Sequence, residues 1–262
     1  MADDFFWYEL MTPDQAASQD FYTKVVGWTV ASPGMTDGHG NPYLVISAGA
    51  RGIGGLFRLT DEMQSHGARP GWIGYIHVAD VDARVQAIQA AGGSQLMEPA
   101  DIPGVGRFAM VADPGGAPFY VMTPRPAEGA EPGPMPPAGT PGTCGWRELF
   151  SSLGEKGAFD FYSGQFGWES VGEFDMGGEM GIYRLWGHDG EQLGGMMKKP
   201  DHVPVSIWNF YFQVEGIDAA VGRIEAAGGR ILHGPMEVPG GQWVVQGMDP
   251  QGAAFALLSN TK

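Results

Sequence analysis

The segment that decides the fold reads FFWYELMTPDQAASQDFYTKVVGWTV over residues 5–30 and recurs as CGWRELFSSLGEKGAFDFYSGQFGWESV over residues 144–171. Further matches follow downstream in the same order, always 136 to 140 residues apart. Internal similarity at one spacing indicates two homologous halves. The matched pairs are Glu9 and Glu148, Phe21-Tyr22 and Phe161-Tyr162, Gly27-Trp28 and Gly167-Trp168, Gly54-Gly55 and Gly194-Gly195, Ala90–Gly93 and Ala226–Gly229, and Asp113-Pro114 and Asp249-Pro250.

The halves are separated by a segment rich in proline. Residues 124–143 read PRPAEGAEPGPMPPAGTPGT, in which seven of twenty residues are Pro and large hydrophobic residues are almost absent. Such a composition cannot bury a core and favours an extended, semi-rigid chain. We therefore predict a first domain over residues 1–123, a linker over 124–143 and a second domain over 144–262.

Charge and composition exclude several classes of protein. The chain has 262 residues and a net charge of −15, which argues against nucleic acid and anionic membrane surfaces as partners. A single cysteine excludes an intrachain disulfide and a zinc site built from several thiolates. The sequence shows no signal peptide and no run of 18 apolar residues. We expect a cytoplasmic protein, monomeric or homodimeric, with a small-molecule ligand.

Each half contains the same order of predicted elements twice. A β-prone run over Phe5–Met11 precedes a helix that ends at Gly27, and three short β-prone runs follow. A strand over Trp72–Ala79 and a helix over Val81–Ala91 begin the second unit of the half, which closes with three more strands. The predicted class is α+β, with four βαβββ modules paired into two domains whose curved, mixed sheets form cups.

Tandem βαβββ modules resemble the vicinal oxygen chelate superfamily, which includes glyoxalase I, bleomycin-resistance proteins, fosfomycin-resistance enzymes and extradiol dioxygenases. The helix end FYxxxxGW, the helix end AAGG and the DPxG hairpin each occur twice here, and the resemblance covers both halves without the linker. It implies two tandem domains of the glyoxalase/bleomycin-resistance type. These motifs mostly encode turns and packing, so they identify a fold more than a chemistry.

The resemblance also implies where a divalent metal would be bound. In metal-dependent members, His, Gln and Glu side chains on the first, fourth, fifth and eighth strands are the ligands. None of the corresponding residues here is a His or a carboxylate, the donors such metals prefer, and we predict no cofactor; a divalent metal held by unusual ligands is the alternative. The corresponding residues are Trp7, Leu56 or Phe57, Ile73 and Tyr120, and then Trp146, Met196 or Met197, Asn209 and Ala256.

Alternation along the strands predicts which side chains line the cups. On the first strand, Trp7 shares the inner face with Phe5, Glu9 and Met11. Both cups are predicted to be aromatic with one acid each, the composition of a small-molecule pocket. The predicted substrate-binding residues are Trp7, Tyr75, His77, Tyr120, Trp146, Asn209, Tyr211 and Gln213.

Glu9 and Glu148 are the candidate catalytic residues. A carboxylate on the inner face of a mostly apolar strand must find a partner or change its protonation state, and it then becomes a plausible general base. The alternative is a structural glutamate hydrogen-bonded to backbone or to an arginine. For His77 the alternative is a core histidine with satisfied hydrogen bonds. We expect the histidines in Gly- and Pro-rich segments to be solvated: His39, His188, His202 and His233.

The residues thus support functions of different classes. The first is a protein that binds a small, partly apolar metabolite or antibiotic in aromatic cups, without the usual metal ligands. The second is a lyase or dioxygenase of this superfamily, similar to lactoylglutathione lyase or to ring-cleaving dioxygenases, that uses an atypical metal site or Glu9 and Glu148 as proton shuttles. The third is a structural or regulatory module that dimerises.

Overall fold

The computed structural model describes residues 3–37, 40–126, 133–134 and 136–262. Its first half confirms the predicted order of elements, with one added short helix, α2. The elements are β1 (Phe5–Thr12), α1 (Gln15–Val25), β2 (Thr29–Ala31), β3 (Leu44–Ala48), β4 (Arg51–Arg58), α2 (Asp61–Ser65), β5 (Gly71–His77), α3 (Val81–Ala90), β6 (Ser94–Ile102), β7 (Gly106–Ala112) and β8 (Pro118–Pro124).

The second half repeats this order without a counterpart of α2, and it has a 3-10 turn over Gly178–Met180 instead. Its elements are β9 (Cys144–Ser151), α4 (Gly154–Phe166), β10 (Glu169–Asp175), β11 (Ile182–His188), β12 (Glu191–Lys198), β13 (Ile207–Gln213), α5 (Ile217–Ala226), β14 (Arg230–Val238), β15 (Gln242–Met248) and β16 (Ala254–Ser259).

Two mixed sheets of eight strands confirm the predicted α+β class. The strand order is β2-β3-β4-β1-β5-β8-β7-β6 in one sheet and β10-β11-β12-β9-β13-β16-β15-β14 in the other. The pairs β1/β4, β5/β8, β9/β12 and β13/β16 are parallel, and the remaining pairs with a described register are antiparallel. No helix among the described residues is long and apolar enough to span a membrane.

Two helix starts illustrate how local chemistry sets the elements. Helix α1 begins after Asp14, whose Oδ1 caps it by accepting from the Ala17 N–H at 3.0 Å. The short α2, which was not predicted, is capped by Thr60 and buries no residue. Since α2 presents no apolar face, the periodicity that reveals longer helices is absent there.

The described residues divide into two compact units, each assembled from segments far apart in sequence. Unit 1 combines residues up to Phe6 with those in 74–131 and 146–209. Unit 2 combines residues in 7–73, 132–145 and 210–262. Within the linker, residues 127–132 and 135 lie outside the described part. The domain boundaries at residues 123 and 144 stay a prediction.

In unit 2, the FY and DP motifs of opposite halves meet. The Tyr22 hydroxyl on α1 donates to Asp249 Oδ2 at 3.1 Å, and the Trp72 indole N–H donates to the Tyr22 hydroxyl at 3.1 Å. Asp249 Oδ1 accepts from the Ala253 N–H at 2.8 Å and so closes the β15–β16 hairpin. Tyr22 is fully buried and Asp249 is 4% exposed. These contacts explain both sequence motifs as packing devices.

Unit 1 contains the equivalent arrangement. The Tyr162 hydroxyl on α4 donates to Asp113 Oδ2 at 3.3 Å and accepts from the Trp208 indole N–H at 2.9 Å. Asp113 Oδ1 accepts from the Ala117 N–H at 2.8 Å in the β7–β8 hairpin. We call the two arrangements the Tyr–Asp locks.

The first strand departs from regular alternation near its start. Phe5 packs on Trp168 and Trp208, with ring centroids 5.9 and 5.0 Å apart. Phe6 contacts His77 at 6.1 Å. Because Trp208 faces helix α4 through Tyr162, the prediction that Phe5 shares the inner face of Trp7 is wrong. The contacts of Phe5 and Phe6 show that strict alternation fails at this end of the strand.

Candidate functional site

Glu9, the first catalytic candidate, lies in a hydrogen-bonded cluster within unit 2. The Tyr43 hydroxyl donates to Glu9 Oε2 at 2.9 Å, and the Trp7 indole N–H donates to the Tyr43 oxygen at 3.1 Å. Glu9 is 5% exposed, whereas Trp7 and Tyr43 are half-buried. The Tyr43 hydroxyl thus gives the buried Glu9 side chain a hydrogen-bond donor, and Trp7 holds that hydroxyl in place.

The tyrosine reaches Glu9 by crossing strand β4, which lies between β3 and β1. Gly55 pairs with Glu9 in the β1/β4 ladder, and a Cβ at Gly55 would overlap the Tyr43 hydroxyl. A Cβ at Gly52 would lie 3.4 Å from Val45 and 3.6 Å from Trp7. The glycines of β4 therefore leave room for an aromatic surface on this face of the sheet.

Unit 1 holds a second copy of the cluster. The Tyr183 hydroxyl donates to Glu148 Oε1 at 3.0 Å and accepts from the Trp146 indole N–H at 2.9 Å. Gly195 pairs with Glu148, and a Cβ there would overlap the Tyr183 ring. Burial first, and then the Glu148 carboxylate, raise the pKa of Tyr183 well above its ordinary value. Tyr183 therefore stays protonated and remains a hydrogen-bond donor at neutral pH.

We call these clusters the first platform (Trp7, Tyr43, Glu9) and the second platform (Trp146, Tyr183, Glu148). The sequence located four of the six residues but not Tyr43 and Tyr183, the tyrosine partners of the two glutamates. One signal could have revealed them, because they lie 140 residues apart, the spacing of the Gly54-Gly55 and Gly194-Gly195 pairs.

Other predicted ligand residues form separate contacts. In unit 1 the rings of Tyr75 and Tyr120 stack with centroids 4.3 Å apart and planes 17° apart. In unit 2 Tyr211 pairs with Ala256 instead, and its hydroxyl accepts from Gln246 at 2.6 Å. The aromatic pair of the first half therefore has no aromatic counterpart at Ala256.

Two further candidates carry buried nitrogen atoms without hydrogen-bond partners among the described residues. They are His77 Nδ1 and Asn209 Nδ2. Burial lowers the pKa of His77, so the neutral ring is favoured. The alternative of a core histidine with satisfied hydrogen bonds is therefore wrong for Nδ1.

Gln213, the last predicted ligand residue, lies where the linker joins the sheet. Its backbone accepts from the Gly142 N–H and donates to the Thr143 carbonyl, each at 2.8 Å. Gln213 is 4% exposed, and its side chain lies over Gly145, where a Cβ would be 2.6 Å from Nε2 of Gln213. These contacts indicate that Gln213 has a structural role, because it binds the end of the linker to the sheet.

Of the remaining histidines, which were predicted to be solvated, two are exposed and one is mostly buried. His188 lies at the end of β11 with a side chain 13% exposed, and its Nδ1 is 2.9 Å from Asp4 Oδ1. Burial lowers its pKa, but the hydrogen bond and charge of Asp4 raise the pKa overall. His202 and His233 are exposed as expected, and His39 lies outside the described residues.

The metal positions of the resembled superfamily do not fit a divalent ion here. The first and second platforms place Trp7 and Trp146 there as indole donors to tyrosine, and indole offers no lone pair for a metal. Within the described ranges, no three His, Cys, Asp or Glu side chains are grouped as metal ligands would be.

Comparison with known proteins places the chain in a family. A model of the Glyoxalase/Bleomycin resistance protein/Dioxygenase superfamily matches residues 5–121 and 156–257. The chain belongs to this superfamily. The membership inferred from the repeated motifs is thereby confirmed.

Individual relatives and solved structures are similar to the chain over most of its length. The Streptomyces peucetius anthracycline biosynthesis protein DnrV is 31% identical, and the match covers 96% of this chain and 91% of that protein. The Mn(II)-bound glyoxalase from Novosphingobium aromaticivorans has a TM-score of 0.67 at 18% identity, over 100% of this chain and 83% of that one. The 2,3-dioxygenase LapB from Pseudomonas sp. KL28 also gives 0.67, at 12% identity over 100% and 94%. At such identities the two structures show the fold alone.

Proposed function

We propose that this protein binds a small, flat, partly apolar molecule on each of its two platforms. The observation that carries the proposal is the repeated Trp–Tyr–Glu arrangement over glycine. It offers two aromatic rings for stacking beside one polar acceptor, the combination typical of small-molecule sites. The arrangement occurs in both halves with the same two hydrogen bonds, from tryptophan to tyrosine and from tyrosine to glutamate.

The glutamates supply the polar part of the proposed interaction. An ionised carboxylate has about four acceptor positions, and the tyrosine hydroxyl uses one of them. When a ligand hydroxyl enters the site, it loses its hydrogen bond to water. A hydrogen bond donated to Glu9 or Glu148 would compensate for that loss, which favours phenolic ligands over plain hydrocarbons. The similarity to a protein named for anthracycline biosynthesis supports this class of ligand, because anthracyclines contain fused, flat rings.

Calorimetric titration with 2-hydroxyfluorene, a flat phenol, tests the proposal. We expect about two equivalents bound per chain, since there are two platforms. Trp7→Ala and Trp146→Ala should each weaken one of the two sites about tenfold, a change of about 1.4 kcal/mol. Trp243→Ala, which removes a half-buried tryptophan outside both platforms, serves as the control. Lack of binding by the folded wild-type protein, or equal binding by all variants, would reject the function.

An enzymatic function on the same platforms is the second candidate, favoured by the two buried carboxylates held by tyrosine. In that case Glu9 or Glu148 takes a proton from a bound substrate as general base. Glu9→Gln and Glu148→Gln keep the shape of the side chain but remove its basicity. Turnover of an α-oxoaldehyde or a catechol that survives unchanged in both variants would eliminate the glutamates as proton shuttles.

A further inference from the structure

The two platforms differ at the neighbouring strand. Position 209 on β13 carries Asn, whereas the matching position 73 on β5 carries Ile. Ile73 is 3% exposed, and its side chain has no hydrogen-bonding group. Asn209 brings an amide to the equivalent place in the second half.

Alternation on β13 places the Asn209 side chain away from the helices. Its neighbour Trp208 faces α4, since its indole N–H donates to Tyr162. Asn209 must then point to the opposite face of the sheet. On β9, Leu149 is fully buried. Its neighbour Glu148 points to the opposite face of the sheet, where it accepts from Tyr183 in the second platform.

The register brings Asn209 beside the second platform. Strands β9 and β13 are adjacent in the sheet, and Gln213 pairs with Gly142 and Thr143 just before β9. The two strands run in opposite directions, because the end of β13 meets the start of β9 at Gln213, while the Ser152 N–H, just after β9, donates to the Ser206 hydroxyl, just before β13, at 2.9 Å. Asn209 therefore neighbours the part of β9 that contains Trp146 and Glu148.

The amide nitrogen of Asn209 is an unused donor. Nδ2 is buried and has no hydrogen-bond partner among the described residues. Buried polar groups in folded proteins nearly always have a partner, and one without it calls for an explanation. An acceptor supplied by a bound molecule would satisfy Nδ2 without any change in the fold.

We propose that Asn209 donates a hydrogen bond to a carbonyl oxygen of the ligand on the second platform, which makes that platform selective for flat hydroxyaryl ketones. The first platform, beside Ile73, does not distinguish such ketones from the parent phenols. This inference rests on the proposed function, because it assumes that ligands occupy the platforms. The two sites of the chain then have different ligand preferences.

A matched pair of probes tests the selectivity. We would titrate wild-type protein with 2-hydroxyfluorenone and 2-hydroxyfluorene, which share the ring system and hydroxyl and differ in the carbonyl. We expect one site to bind the ketone about 10 to 100 times more tightly than the parent phenol, the effect of a buried donor that gains its partner. In Asn209→Leu this preference should vanish, because the variant has no amide to donate to the carbonyl.

The melting temperature of Asn209→Leu without ligand gives an independent measurement. Replacing an unpaired buried donor by an apolar side chain of similar size should leave the melting temperature unchanged or raise it. A marked decrease would mean that Asn209 has a structural partner, and the inference would be overturned. Equal affinity of both probes for wild type would overturn it too, while two bound equivalents of 2-hydroxyfluorene would keep the proposed function. Failure of both probes to bind would reject both.

Discussion

Gly55 and Gly195 determine whether the two platforms can form. Each pairs with a glutamate in a parallel ladder, and the tyrosine of the platform lies over it. Neither residue has a positive φ, so the requirement is for space and not for backbone freedom. A single methyl group at either position would occupy the place of the tyrosine.

We predict that Gly55→Ala and Gly195→Ala each displace the tyrosine and abolish ligand binding at one platform. Overpacking of this kind typically destabilises by about 1–3 kcal/mol. Gly222→Ala is the matched control, because a Cβ at Gly222 in helix α5 would meet nothing within 4 Å. It should stabilise by about 0.5–1 kcal/mol. Urea denaturation and titration of all three variants check this, and unimpaired binding in Gly55→Ala would contradict it.

The candidate site was only partly predictable at the level of residues. Local alternation was sufficient to place Trp7 and Glu9 on one face, because neighbouring residues on a strand determine it. Tyr43 precedes a strand in an irregular segment and reaches Glu9 across a third strand. Such a contact depends on strand order, which a local pattern does not contain.

At the scale of elements, helices are held to hairpins by the Tyr–Asp locks. Burial raises the pKa of Asp249 and Asp113 above 3.8 and outweighs their hydrogen bonds to backbone. Because the folded pKa is the higher one, folding favours the protonated form. The contribution of these two aspartates to the free energy of unfolding is therefore largest below about pH 3.8. It is lost as the pH rises through their pKa in the folded state.

We predict that Asp249→Asn gains stability relative to wild type as the pH rises from about 4 to 7. Asparagine keeps an acceptor for Ala253 and stays neutral, so it avoids the penalty of a buried charge. The difference in free energy of unfolding between variant and wild type should therefore be larger at the higher pH. Urea midpoints at both pH values measure it, with exposed Asp201→Asn as control. The opposite trend would mean that the folded pKa is lowered.

At the scale of the whole molecule, the number of modules could be predicted from the sequence. Which module packs against which could not. The repeat predicted four βαβββ modules, and hydrophobic runs with glycine turns were sufficient for that. Nothing local indicates that α1 binds the hairpin at Asp249, which lies 227 residues further along the chain. Both halves carry nearly the same motifs, so pairing within a half and between halves look alike in sequence.

A double-mutant cycle should detect this pairing. We predict that Tyr22→Phe and Asp249→Asn are coupled by about 0.5–3 kcal/mol, because the two groups share a buried hydrogen bond. Tyr22→Phe combined with Asp61→Asn, an exposed residue in the same unit, should be additive within about 0.5 kcal/mol. Equal coupling in both cycles would show that the lock does not join these elements.

The locks also bear on how the chain folds during its synthesis. Ribosomes add about 5–20 residues per second, so the 227 residues between Tyr22 and Asp249 take about 11–45 s. The lock of unit 1 spans only 49 residues, or about 2.5–10 s. We therefore expect unit 1 to close first, while the aromatic residues Phe21 and Tyr22 of α1 remain unpacked until the last hairpin is synthesised. During that interval the nascent protein exposes the surface on which chaperones act.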